Sequence, residues 1–237
     1  MRGMSDRIEG PAFGVIVAAG RGERMGGVDK VYTALVGRPL IVWPLGAFRA
    51  CDAVDGVVVV VPAGGVARME ALVREWRMTK VRAVVPGGAH RQASVRAGIE
   101  AAEGAAIVAV HDGARPLVTP DLIARGVAIA RETGAALCAV PARDTVKEVE
   151  DDPPVVRATL DRASAWLAQT PQVFGRALLL GAHRRAETQA TDDAALVEAM
   201  GHRVRVYEGA AWNLKVTTPD DLILAEALLR ARFDAAL

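Results

Sequence analysis

The stretch Val15-Ile16-Val17-Ala18-Ala19-Gly20-Arg21-Gly22-Glu23-Arg24-Met25-Gly26-Gly27 decides how this chain is read. A β-branched run gives way to small residues, then to two glycines and two arginines. Small side chains let a backbone come close to a ligand, and glycine tolerates the positive φ that turns successive N–H groups into one concavity. Such a nest fits phosphate oxygens, and Arg24 adds charge-assisted hydrogen bonds. A plain structural turn uses the same glycine pair. The loop is not a Walker A loop, because no Gly-Lys-Ser/Thr closes it. It also departs from a dinucleotide fingerprint, since Arg24 and Met25 occupy the region of the third glycine. Arg24 and Lys30 place two cations just beyond the glycines, and a triphosphate carries enough charge to need both.

Working outward, the strand that feeds this loop has companions. Gly14–Ala18, Val57–Val61, Val81–Val85, Ala106–Val110 and Ala136–Val140 are continuous apolar runs, as expected of parallel strands covered on both faces. Helical patterns separate them. Val66, Met69, Leu72, Val73 and Trp76 share one helix face. Thr119-Pro120-Asp121 supplies an N-cap, a proline at the first helical position and an acid in the first turn. Thr218-Pro219-Asp220-Asp221 repeats that signal, and Thr191-Asp192-Asp193 resembles it. The order βαβαβ with short connections predicts an α/β fold, doubly wound around a mostly parallel sheet, with ligands beyond the carboxyl ends of the strands. One segment breaks the order. Thr145–Glu150, a turn at Asp151-Asp152-Pro153-Pro154 and Val155–Leu160 read as a β-hairpin with a charged face. A lone hairpin is marginal in water and needs a surface. A partner subunit or the hairpin's own domain are the two candidates. We take 1–237 as a single domain, with 144–162 as a protruding β-arm for dimerisation.

Composition narrows the function classes. The 237 residues are 51% hydrophobic, and 29 Lys and Arg nearly balance 28 Asp and Glu, so neither nucleic-acid nor membrane-surface binding is implied. Cys51 and Cys138 stand far apart without metal or redox spacing, as small buried residues of a reducing compartment do. Met1–Gly10 lacks the apolar core of a signal peptide, and no apolar run approaches a membrane span. The expected location is cytoplasmic.

Further polar constellations punctuate the apolar runs. Asp112, in His111-Asp112-Gly113-Ala114-Arg115-Pro116, ends an apolar strand and points toward the ligand crevice. It could orient a divalent cation, bind a sugar hydroxyl or cap a turn, and Mg²⁺ asks for only one or two carboxylates besides phosphate oxygens. His111 reads as a histidine packed beneath the site. Pro86-Gly87-Gly88-Ala89-His90-Arg91-Gln92-Ala93-Ser94 follows a strand and opens a helix, so its backbone and Ser94 could read a base edge. A Gly-rich connector is the other reading. Arg162, Thr170 and Lys215 interrupt apolar surroundings, where a cation must snorkel, pair with a carboxylate or meet an anion.

Taken in order, these pieces resemble the 2-C-methyl-D-erythritol 4-phosphate cytidylyltransferase family of the non-mevalonate isoprenoid pathway. The resemblance runs from Val15 to about Leu228. It rests on the motifs above together with Arg143-Asp144-Thr145, Leu160-Asp161-Arg162, Thr170-Pro171-Gln172 and Asn213-Leu214-Lys215-Val216-Thr217. It implies a nucleotidyltransferase of the nucleotide-diphospho-sugar transferase type that is dimeric through a β-arm. The implied reaction joins CTP and methylerythritol phosphate, with Mg²⁺, to give 4-diphosphocytidyl-methylerythritol and pyrophosphate.

By the same resemblance Arg24, Lys30, Arg162 and Lys215 are the catalytic cations, the first pair at the α-phosphoryl group and the second at the attacking phosphate. Ala18, Ala19, Gly20, Arg21, Gly22, Gly87, Ala89 and Ser94 fall on the nucleotide side. Asp112, Arg115, Thr145, Thr170 and Thr191 line the sugar-phosphate pocket, some from the partner subunit. The metal is held by Asp112 or through the CTP phosphates. Departures are Val17 for proline, Asp29-Lys30-Val31-Tyr32 for Pro-Lys-Gln-Tyr/Phe, Gly113 for alanine and Ala89 for an acid; none removes a cation. A cytidylyltransferase for another polyol phosphate, such as ribitol 5-phosphate, is the alternative enzyme. A non-catalytic nucleotide-binding dimeric module is the alternative of another class. No hexapeptide-repeat region follows the last helix, and the chain is expected to lack a fused later-pathway enzyme.

Overall fold

The computed structural model describes residues 7–20 and 30–234. A seven-stranded sheet forms the centre, in the order β11-β7-β10-β6-β1-β4-β5. Its strands are β1 (Ala12–Val17), β4 (Gly56–Val61), β5 (Val81–Pro86), β6 (Ile107–Asp112), β7 (Ala135–Pro141), β10 (Trp166–Gly175) and β11 (Arg205–Glu208). The pairs β1/β4, β1/β6, β4/β5 and β7/β11 are parallel, and β10 runs antiparallel to both β6 and β7. The five apolar runs read from the sequence are therefore strands of one mostly parallel sheet.

Alternation along the strands makes three layers. On one face Val57, Val59 and Val61 of β4 and Ile107 and Ala109 of β6 pack on α1 (Val42–Ala50), α2 (Val66–Glu75) and α4 (Pro120–Thr133), with Phe48, Met69 and Ile123 fully buried. On the other face Val58, Val60, Val108 and Val110 meet α3 (Arg91–Ala101), α5 (Arg176–Arg185) and α6 (Asp193–Ala199). All six residues of β4 and of β6 are buried, because a helix layer covers both sides of the sheet. Gly14 in β1 is required by close approach: a Cβ there would lie 2.5 Å from the Phe48 ring. A smaller cluster joins α7 (Pro219–Asp234) to the two-stranded β2 (Ala34–Leu35) and β3 (Arg38–Pro39) through Leu35, Leu40, Leu117, Val216 and Leu229.

The helix starts behave as their sequence signals require. The Thr119 side chain accepts from the Leu122 N–H and Asp192 accepts from the Ala195 N–H, each satisfying an otherwise orphaned donor. The strand β10 is a departure from the βα alternation. Pro171 lies within it, and a proline has no N–H for a ladder. The β10/β7 register shifts between Ala168 and Gln172, so Gln169-Thr170-Pro171 leaves the ladder as a bulge. The hairpin forms a separate two-stranded sheet, β8 (Lys147–Asp151) with β9 (Pro154–Thr159), within a residue or two of the expected limits.

Candidate active site

Register puts four strand ends at one edge. Val17 of β1 lies beside Asp112 of β6 and Val60 of β4, and Val61 lies beside Pro86 of β5. The chain leaves β1 with β4 on one side and β6 on the other, which is the switch point where an open α/β sheet forms its ligand crevice. Three loops rise there: Ala18–Gly20, Gly87–His90 and Gly113–Pro116.

The first two loops make a backbone cradle. The Ala18 N–H donates to the Val60 carbonyl and the Gly87 N–H to that of Val61. A Cβ on Gly87 would stand 2.7 Å from both the Ala19 Cβ and the Ser94 hydroxyl, so only glycine lets the loops touch. The Ser94 hydroxyl accepts from the Gly88 N–H at 3.1 Å and donates to the His90 carbonyl at 3.0 Å. Ala18, Ala19, Gly20, Gly87 and Ser94 thus assemble around one corner, and Ala89 is exposed beside it. Arg21, Gly22 and Arg24 lie outside the described residues, and Lys30 opens a 3-10 turn, Lys30–Tyr32.

The third loop carries the charge. The Asp112 carboxylate is 2.9 Å from Lys215 Nζ and 3.7 Å from both Arg91 Nε and Arg115 Nε. Burial alone raises the Asp112 pKa; Lys215, Arg91 and Arg115 outweigh it and hold the acid at about 2. Arg91 reaches on to Asp193 at 2.9 Å, and Asp193 accepts from or pairs with His183 Nε2 at 3.1 Å. Burial disfavours the charged Arg91, but Asp193 and Asp112 reverse the balance and raise its pKa. Three cations therefore converge on the single carboxylate of Asp112, while Arg91 is shared with Asp193 and Asp192 on its far side; cations gathered at a strand end suit a phosphate-bearing ligand.

Beneath Asp112 a hydrogen-bond chain places one proton. The Asp112 N–H donates to the Thr170 hydroxyl at 3.1 Å, and that hydroxyl lies 3.0 Å from His111 Nδ1. His111 Nε2 lies 3.2 Å from the Arg115 carbonyl, which can only accept. His111 Nε2 therefore carries a proton. Full burial pushes the His111 pKa down to about 4 and favours the neutral ring, in which Thr170 donates to Nδ1. The β10 bulge is what delivers Thr170, as bulges beside sites re-aim side chains. Arg115 donates to the Asn213 carbonyl at 2.7 Å, and the Asn213 amide donates to the Thr170 carbonyl at 2.9 Å, latching the Lys215 segment to the loop.

Of the residues expected in the sugar-phosphate pocket, Asp112, Arg115 and Thr170 come together, and Lys215, expected as a catalytic cation, joins them. Lys215, for which either an ion pair or an anion was open, pairs with Asp112. Thr191 is exposed, one residue before the Asp192 cap of α6. Thr145 is exposed at the base of the hairpin, and Arg162 is exposed after β9, donating to the Arg143 carbonyl at 3.0 Å. No hydrogen bond or ion pair joins those last two to the Asp112 cluster. Sequence reasoning left out Arg91, Gln172, Asp193 and Asn213 as site residues. Gln172 accepts from the Asp193 and Ala194 N–H groups and donates to Asp192, so it seats α6 against the site. Arg91 had a signal, as the first residue of the helix behind a glycine pair. The others are brought in only by sheet topology.

A metal at Asp112 would need phosphate oxygens of a ligand to complete its shell. The Asp112 carboxylate is taken up by three cations, and among the described residues no group of three or more His, Cys, Asp or Glu could hold an ion.

Comparison with known proteins agrees with this geometry. Residues 13–231 match the model of the family described as IspD, 2-C-methyl-D-erythritol 4-phosphate cytidylyltransferase. The enzyme of that name from Geobacter metallireducens is 44% identical, covering 93% of this chain and 98% of its own. A bifunctional IspD/IspF enzyme from Desulforudis audaxviator is 49% identical over 91% of this chain and 56% of its own. The crystal structure of the Thermus thermophilus 2-C-methyl-D-erythritol 4-phosphate cytidylyltransferase is 39% identical with a TM-score of 0.74, covering 91% and 98% of the two chains. That of an Anaerococcus prevotii 4-diphosphocytidyl-2C-methyl-D-erythritol synthase reaches 0.81 at 27% identity, covering 93% and 96%. With its strand ends, glycine cradle and Asp112 cluster in that setting, the chain belongs to the 2-C-methyl-D-erythritol 4-phosphate cytidylyltransferase family.

Proposed function

We propose that the protein transfers the cytidylyl group of CTP to 2-C-methyl-D-erythritol 4-phosphate, releasing pyrophosphate. The observation that carries the reading is the convergence of Lys215, Arg91 and Arg115 on Asp112 beside a backbone cradle at the sheet's switch point. A phosphate oxygen of the polyol attacks the α-phosphorus of CTP; one P–O bond forms and the α–β bridging P–O bond breaks, with its electrons leaving on pyrophosphate. No general base is needed, because a phosphate monoester is largely dianionic near neutral pH, with a second pKa of about 6. The protein's task is positioning and charge stabilisation. Ala18, Ala19, Gly20, Gly87, Ala89 and Ser94, with Arg21 and Gly22, receive the nucleotide. Arg24 and Lys30 face its phosphates. Lys215 and Arg162 hold the attacking phosphate, with Asp112 orienting Lys215 and with Arg115, Thr145, Thr170 and Thr191 around the polyol.

A divalent cation would be held by the CTP phosphates and would supply charge neutralisation there, Asp112 being already paired with Lys215, Arg91 and Arg115. The unit is a homodimer, joined through the arm at 144–162. This reading is supported by the exposure of Val149, Val155, Val156, Leu160, Trp166 and Leu167 on or at the root of the hairpin, each 44–56% exposed. It brings Thr145 and Arg162 of one protomer toward the Asp112 cluster of the other, which explains why neither meets that cluster within its own chain. A cytoplasmic location follows from the need for CTP; two buried free cysteines suit a reducing compartment, and no helix among the described residues is long and apolar enough to cross a membrane.

The test is pyrophosphate release with each NTP crossed against methylerythritol phosphate and ribitol 5-phosphate. CTP with the methylerythritol substrate is expected to be fastest. Faster turnover of ribitol 5-phosphate overturns the substrate, and CTP binding without any release overturns the enzyme.

A further inference from the structure

Helices α1 and α7, with Trp76 and Met78 just beyond α2, border a cavity of about 460 Å³, and none of the residues assigned above to nucleotide or polyol lines it. Its walls combine indoles and guanidiniums. Arg38 of β3 stands 5.1 Å from the Trp43 ring centroid and 5.6 Å from that of Trp76, so one cation bridges two rings. Arg49 donates to the Arg77 carbonyl at 3.2 Å. Arg232 donates to the Leu117 carbonyl at 3.1 Å and lies 3.9 Å from the Trp212 ring.

These three arginines differ from six others, Arg91, Arg96, Arg115, Arg125, Arg157 and Arg230, that form ion pairs with a carboxylate. Among the described residues Arg38, Arg49 and Arg232 have none. Burial pushes the Arg232 guanidinium down with no carboxylate opposing it, in contrast to Arg91. Three cations line one cavity whose walls hold no carboxylate, so an anion placed among them is attracted without displacing an existing ion pair. The indoles and the apolar floor accept a flat or hydrocarbon body, and the volume lies in the ordinary range for small-molecule sites, roughly 300–1,000 Å³.

We propose that this cavity binds a small amphipathic anion: an oxyanion head held by Arg38, Arg49 and Arg232, on an aromatic or hydrocarbon body packed against Trp43 and Trp76. Gly46 makes the idea testable. It lines the cavity from the middle of α1, and a Cβ built there meets no heavy atom within 4 Å. Gly46→Phe therefore fills the cavity while raising helix propensity.

The probes are 1-naphthyl phosphate, 1-naphthoate and neutral 1-naphthol, titrated into the full-length protein with saturating CTP present to occupy the catalytic site. The readout is the ¹H–¹⁵N signal of the indole N–H groups, assigned among the four tryptophans by single Trp→Phe changes. Saturable shifts of Trp43 and Trp76 are expected with one or both anions, which distinguishes a phosphate from a carboxylate head. Trp166, at the root of the arm, should stay still. Binding should weaken by about tenfold or more, ~1.4 kcal/mol, for naphthol, for Gly46→Phe and for Arg38→Gln/Arg49→Gln, while cytidylyl transfer by Gly46→Phe is unchanged. Absence of saturable shifts, equal binding by naphthol, or undiminished binding by Gly46→Phe would overturn the proposal.

Discussion

Asp112 is only 8% exposed and is ringed by Lys215, Arg91 and Arg115, whereas Val149, Val155 and Val156 on the hairpin are 48–56% exposed. Each region inverts the usual distribution, with charge inside the body and apolar side chains outside it. The body tolerates its charges because partners from four separate segments surround them; a buried ion without such partners costs several kcal/mol. The hairpin has no such partners within its chain. It is held at its root by the Ala142 N–H donating to the Ala165 carbonyl and the Leu160 N–H to that of Val146, and by surface contacts such as Lys147 to Thr159 at 2.7 Å. One inversion is satisfied internally and points to a substrate. The other is left open among the described residues, and the dimer proposed through the arm would cover it.

The largest expected effect breaks the body's side of the contrast. Lys215→Ala should lower kcat on the order of 10²–10³, the cost of one preorganised electrostatic donor, measured by pyrophosphate release at saturating CTP. If kcat holds, Lys215 only neutralises Asp112. Lys30→Ala should fall in the same range.

Next in size is the acid response of the buried network. The folded His111 pKa is about 4 against an ordinary 6.5. Its neutral form therefore stabilises the fold fully above pH 6.5, and that contribution drains away as pH falls toward 4, by about 3 kcal/mol. Asp112, depressed to about 2 from 3.8, adds its loss only below pH 4. Urea midpoints at pH 7, 5.5 and 4 should show the decline, and His111→Gln should flatten it. An equally steep decline in that variant assigns the sensitivity elsewhere.

The arm gives smaller effects with a sharper signature. Arg162→Ala should raise KM for the polyol phosphate about tenfold, the effect of losing ~1.4 kcal/mol of binding. Mixing Lys215→Ala with Arg162→Ala subunits should then restore low-KM activity, read at polyol phosphate well below KM, because a C2 hybrid has one site with both residues intact. By random pairing the recovery is roughly a quarter of wild type. No recovery removes Arg162 from the partner's site. Deleting Thr145–Leu160 should turn a dimer into a monomer by size-exclusion mass, and an unchanged dimer ends that part of the proposal. Smallest of all, Val155→Thr in the full-length chain, diluted until protomers separate, should shift the unfolding free energy by no more than about 0.5 kcal/mol, as other exposed substitutions do.

Much of this molecule is legible along the chain. The runs at Val57–Val61 and Ala106–Val110 announce buried strands because a parallel sheet leaves no face for polar alternation. Thr119 and Asp192 announce helix starts because orphaned N–H groups need an oxygen nearby. The strand β10 is not legible, since Pro171 argues against a central strand and only the bulge beside β7 removes the ladder bond it cannot make. The four-residue β11, Arg205–Glu208, has too little apolar pattern to register, and it is recognisable only through its pairing with β7.

The sequence by itself determined the α/β class, the glycine cradle, the hairpin and the identity of the polar residues, because these rest on local dihedral preference and on periodicity. Only the tertiary structure decided that Arg91, Asp112, Asp193 and Lys215 form one network, and that Thr145 and Arg162 stand apart from it. Electrostatic interaction falls with distance in space, and residues 91, 112, 193 and 215 become neighbours only when the sheet order brings their loops to one edge.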